Sequence, residues 1–205
     1  MIALLNHLGG LMLALVAGFS AAWAFQRRAD IPHASSWLSA WALSMLFVAL
    51  ASIANLLPEP GGDLQVIKRM VDNLALFVAL PFLGVSIPAL AKRCFWSSGG
   101  WGRLLLGLFA GFELTRQLGH GETYLLILAA CCTVLLIAGS LLMQTRQAQG
   151  LGLLSGIFAA TAFSLASPFA PFEYSQSALF GLVTATLALV SLAVRTELSQ
   201  VKASQ

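Results

Sequence analysis

Charge is what this chain lacks most. Asp, Glu, Lys and Arg make up only 9% of its 205 residues, against about 25% in ordinary soluble domains. With 59% hydrophobic residues and a mean hydropathy of +0.86, the composition excludes a water-soluble globular domain and implies an integral membrane protein. Cysteine is also sparse. Cys131 and Cys132 are adjacent within one apolar run and Cys94 falls in a loop expected in the cytoplasm, so no pair is placed for a structural disulfide in an oxidising compartment. Small apolar packing is their expected role.

Chemistry-bearing motifs are missing as well. There is no CxxC, no HxxxH or HExxH and no GxSxG, so neither a zinc-hydrolase helix nor a nucleophile elbow is present. A retinal Schiff base would need a lysine in the last apolar run, and residues 177–194 contain none. Haem-binding bundles usually hold the iron between facing axial ligands. Of the three histidines, only His7 lies inside an apolar run. No cofactor is expected. Nor does any basic run suggest a nucleic-acid patch, because cytoplasmic loops of membrane proteins are basic for reasons of topology and anionic lipid alone.

What is abundant is long apolar runs. A helix needs roughly 17–25 residues to cross about 30 Å of hydrocarbon, and seven such spans nearly exhaust the sequence: about 3–25, 37–57, 71–91, 101–118, 123–144, 150–170 and 177–195. The expected fold is all-α, a single transmembrane domain over 1–205 built as a seven-transmembrane-helix bundle. The first span is expected to be retained: no basic residue precedes its apolar core, and Arg27 and Arg28 follow it. The longest connection, Pro58 to Met70, leaves no room for an extramembrane catalytic domain, so function is expected in the bundle or its rims.

Orientation follows from the cations. One side carries Arg27, Arg28, Lys92, Arg93, Arg103, Arg146, Arg195 and Lys202, and the other only Lys68, Arg69 and Arg116. By the positive-inside rule the first side is cytoplasmic, which puts the N-terminus outside and the C-terminus in the cytoplasm. Acids divide the opposite way: Asp30 and Glu197 fall inside, whereas Glu59, Asp63, Asp72, Glu113, Glu122 and Glu173 fall on or near the outer side. The expected location is a cell membrane, multi-pass, read as a bacterial inner membrane.

The stretch FELTRQLGHGET, residues 112–123, gathers Glu113, Arg116, Gln117 and His120 at the outer end of the fourth span. Neighbours on a helix are three and four residues apart, so Glu113 faces Arg116 and Gln117, and Arg116 faces His120 if the last turn persists past Gly119. Two readings stand. Glu113 and Arg116 can be an ion pair closing a helix end in wet headgroups, or part of a polar pocket assembled from several helix ends. Other polar residues at the same depth favour the pocket: His7 beside Asn6, Asp72 with Asn73, Glu122 with Tyr124, and Glu173 with Tyr174. The expected ligand-binding set is therefore His7, Asp72, Asn73, Glu113, Arg116, His120, Glu122 and Glu173.

Two further patterns concern the helices themselves. Pro81 and Pro88, with Gly84 between them, are expected to kink the third span. Ser52-Ile53-Ala54-Asn55 echoes Ser164-Leu165-Ala166-Ser167 at an offset of 112, which would superpose spans one to three on spans five to seven, with the fourth as a linker. The leading functional expectation is non-catalytic binding of a small polar or cationic ligand, by transport or sensing, through an outward acidic pocket. Behind it stand a metal-dependent intramembrane lipid hydrolase, using His7, His120, Asp72 and Glu113, and a partner subunit binding another membrane protein. Membrane lipids are expected contacts in every case.

Overall fold

A computed structural model describes residues 2–57, 62–166 and 176–203. Among them the chain is all-helical, and six helical stretches are long and apolar enough to cross a membrane. This is the pattern of a multi-pass membrane protein. The helices are α1 (Ile2–Arg27), α2 (Ser35–Ala54), α3 (Asp63–Leu74), α4 (Leu80–Ala91), α5 (Ser98–Gln117), α6 (Gly121–Leu141), α7 (Arg146–Ala166) and α8 (Gln176–Ala203).

The largest departure from the sequence reading lies at α3. Residues 63–70, expected as part of a connection, are helical, and α3 runs through a wide turn, Ala75–Ala79, into α4 as one helix of 29 residues. At 1.5 Å per residue that is about 44 Å, well beyond the hydrocarbon thickness. None of the α3 residues is buried. Its Asp63, Lys68, Arg69 and Asp72 lower the local hydropathy, and so ended the apparent span at residue 71, but polarity does not stop a helix. The wide turn answers Pro81. Proline has no N–H to return to the carbonyl four residues back, and the turn before it closes instead on a five-residue bond, the Leu80 N–H donating to the Ala75 carbonyl.

Glycines fix the directions of the packed helices. On α4 and α6, Gly84 meets Cys132 and Gly139 meets Pro88, so the two helices run the same way. On α1 and α8, Gly9 meets Phe180 while Ser20 bonds Ser191, so these two are also parallel. Going round the bundle, α1 packs on α2, α2 on the turn and α4, α4 on α6, α6 on α7, α7 on α8, and α8 back on α1. Helix α5 lies outside this ring against α6, α2 and the wide turn, with only Trp101 buried. Exchanging the first three ring members for the last three maps every neighbour pair onto another. The two sequence quartets begin at equivalent places, Ser52 in the last turn of α2 and Ser164 in the last turn of α7. Ser52 and Ser164 each return a hydroxyl bond to the carbonyl four residues back, although Ser52 is buried and Ser164 is exposed.

The core on the α2 side is aromatic. Trp37 and Trp41 stack at 5.5 Å; the Trp37 indole N–H donates to the Ser86 carbonyl on α4 at 2.9 Å, and that of Trp41 to the Ser20 hydroxyl on α1 at 3.1 Å. Ser20 and Ser191 share a hydrogen bond of 3.0 Å. The Trp37 and Trp41 indole donors and the two serine hydroxyls thus have partners where no water is at hand, which membrane interiors demand, whereas the buried Trp101 indole N–H meets no acceptor among the described residues.

Candidate functional site

The stretch 112–123 is the turn from α5 into α6. Helix α5 ends at Gln117, and Gly119 takes a φ of +78°, a left-handed conformation that glycine adopts at little cost. The His120 N–H then donates to the Thr115 carbonyl at 2.9 Å, and α6 begins at Gly121. The last turn of α5 therefore does not persist, and His120 is not carried onto the Arg116 face.

Glu113 is held by its own helix. The Arg116 Nε donates to its Oε2 at 2.9 Å, Nη2 to Oε1 at 2.7 Å, and the Gln117 amide to Oε1 at 3.0 Å. This forked pair is half exposed, so water screens it and it adds little to stability. Asp72 is half-buried on α3 and accepts from the Asn55 amide at the end of α2, at 3.0 Å. Asn73, His120 and Glu122 are exposed. His7 is exposed on α1, near the level where Gly10 packs on Leu56 at the end of α2. Its neighbour Asn6 keeps a buried Oδ1 that accepts from none of the described residues. Glu173 and Tyr174 lie outside the described residues.

Three acid-bearing helix ends are joined by aromatic rings instead of by hydrogen bonds between the acids. Phe77 stacks on Phe112 at 3.6 Å between centroids and lies 6.1 Å from Tyr124, nearly parallel to both. Asp72 lies five residues before Phe77, Glu113 directly follows Phe112, and Glu122 lies two before Tyr124. The wide turn helps to place Phe77 here, and Gly111 of α5 faces the Tyr124 side chain at ordinary contact distance. Among the described residues no three of His, Cys, Asp or Glu stand close enough together to hold a metal ion, so the ligands required by the hydrolase reading are not assembled.

The chain matches no protein-family model, no curated protein and no solved structure.

The basic end of the bundle holds features that hydropathy does not flag. Glu197 on α8 is only 1% exposed and accepts from the backbone N–H groups of Gln144 and Thr145, both at 3.1 Å. Arg195, two residues earlier, stacks its guanidinium on Phe19 at 4.9 Å and on Trp23 at 4.8 Å. In the sequence both residues read only as charges near a span end.

Proposed function

We propose that the chain is a seven-span membrane protein, N-terminus outside and C-terminus cytoplasmic, that binds a small organic cation at its outer rim for sensing or transport, without catalysis. The observation that carries the binding reading is the Phe77, Phe112 and Tyr124 layer with Asp72, Glu113 and Glu122 at its edges. Aromatic faces attract cations, most effectively where water is excluded, and ionised carboxylates add the long-range attraction. In the free protein Arg116 takes the place of such a cation on Glu113.

The seventh span rests on direction. Because α4 and α6 are parallel, α5 has to carry the chain back along the height of the bundle between them. Its 20 residues reach about 30 Å, and Leu106, Phe109 and Leu114 are exposed on it, as lipid-facing residues would be. The cation asymmetry supports the orientation. A reporter fused after Gln205 should be active in the cytoplasm, and one inserted next to Gly62 should be active outside. The reverse at either site would refute the orientation.

Binding is tested by thermal shift and titration with tetramethylammonium. Wild-type protein should be stabilised; Glu113→Gln should weaken binding about tenfold, the loss of one interaction with a charged group. Arg116→Gln should strengthen it up to about fivefold, since it frees an acceptor at the cost of an exposed pair only. If tetramethylammonium stabilises none of the three proteins and both substitutions merely lower the melting temperature, the rim is a structural helix end.

A further inference from the structure

A groove of about 490 Å³ runs between the parallel helices α1 and α8, walled by Leu15, Val16, Ala188 and Leu192. Leu15, Phe19 and Leu192 are exposed at its lip, so it opens sideways, toward lipid rather than toward water. The two hydroxyls on its floor, Ser20 and Ser191, already bond each other. A guest along most of its length therefore meets hydrocarbon.

One end is different. Arg195 closes the groove at the basic end of the bundle, its guanidinium clamped by Phe19 and Trp23. Its Nε is buried and has no hydrogen-bond partner, and no carboxylate among the described residues pairs with it. A cation at membrane depth is costly unless paired or hydrated, and the aromatic rings offset only part of that cost. A guanidinium presents a rigid fork of donors that matches phosphate.

We propose that this groove seats an anionic phospholipid of the inner leaflet, its phosphate on Arg195 and an acyl chain along Leu15, Val16, Ala188 and Leu192. From Ala188 to Arg195 is about 10 Å along the axis, enough to hold the upper part of one chain. Basic pockets between spans on the cytoplasmic side select anionic headgroups by the same physics. The competing explanation is snorkelling, in which Arg195 only reaches the interface and selects no lipid.

Native mass spectrometry of the full chain in neutral detergent, with added phosphatidylglycerol or phosphatidylcholine, separates the two. One phosphatidylglycerol should be retained about tenfold more tightly than phosphatidylcholine, as loss of a charge-assisted contact implies. Inorganic phosphate at millimolar concentration should not displace it, because the acyl chain supplies much of the affinity. Arg195→Gln should abolish the preference, whereas Arg28→Gln, at the same end of the bundle, should keep it. Leu192→Trp changes a lip residue without touching the charge, and should cut retention of both lipids while the protein still melts cooperatively. Equal retention of the two lipids by wild type, or an unchanged preference in Arg195→Gln, would overturn the proposal; so would a full effect of free phosphate alone.

Discussion

Replacing Gly139 by alanine should lower the melting temperature of the purified protein by roughly 5 °C, and replacing it by leucine should leave little extractable folded protein. A Cβ at Gly139 would lie 2.7 Å from the backbone nitrogen of Pro88, 2.8 Å from its ring Cδ and 2.9 Å from Ile87 Cγ2. The two Pro88 atoms belong to a backbone and a closed ring, so they cannot swing aside as the tip of a long side chain would. One helix has to move, and overpacking of this kind costs about 1–3 kcal/mol and sometimes more. Between membrane helices, packing of small residues carries much of the association, because lipid is as apolar as the helix surfaces themselves. Gly107→Ala is the control. Nothing lies within 4 Å of its added Cβ, and alanine is the better helix former by about 1 kcal/mol. Gly107→Ala should therefore be neutral or stabilising. Equal melting temperatures for Gly139→Ala and Gly107→Ala would show that α4 and α6 do not meet through this glycine.

That contact was not legible in the sequence, and the reason is general. Hydropathy reports how a segment partitions into lipid, one segment at a time, and so the apolar helices lie nearly where it predicts them: 3–25 against Ile2–Arg27, or 123–144 against Gly121–Leu141. Which helices become neighbours depends on where small residues face one another, and Gly139 looks no different in the sequence from Gly107, which touches nothing. The same limitation hid α3. An amphipathic helix with Asp63, Lys68 and Arg69 reads as a loop to any measure of apolarity, although Leu64, Ile67 and Met70 recur at helical spacing.

At the rim the sequence placed the charges at one depth but did not indicate what each would bond. Glu113 with Arg116 and Gln117 followed directly from three- and four-residue spacing, and the structure has those bonds. Asp72 with Asn55 did not, since that bond joins two helices 17 residues apart in sequence. The aromatic layer was equally hidden: Phe77, Phe112 and Tyr124 come from three helices and look like ordinary apolar residues in each. The half-buried Asp72 and Glu113 and the exposed Glu122 thus flank a layer of rings that is buried at Phe77 and half-buried at Phe112 and Tyr124.

The second large effect is expected at Glu197. Its two oxygens accept from consecutive backbone N–H groups, those of Gln144 and Thr145, in the turn that enters α7. The Gln149 N–H closes the first turn of α7 on the Thr145 carbonyl, so these donors stand at the start of that helix, where negative charge is stabilised. A buried carboxylate is normally paired with a cation; among the described residues Glu197 has none, and the two amides together with the helix end offset its desolvation. Removing the carboxylate leaves both amides without an acceptor. At about 1.5–3 kcal/mol for a hydrogen bond to a charged group, Glu197→Ala should cost ~3 kcal/mol or more. Glu197→Gln should cost less, because its carbonyl still satisfies one amide while its NH₂ confronts the other. Amide exchange gives the local readout: the Gln144 and Thr145 protons should exchange faster in Glu197→Ala, and one of the two should stay protected in Glu197→Gln. Exchange and melting temperature both unchanged in Glu197→Ala would mean that α8 does not hold the α6–α7 turn. A loss confined to the melting temperature, with both amides still protected, would place the contribution of Glu197 in packing beside Leu198 and Val194 instead.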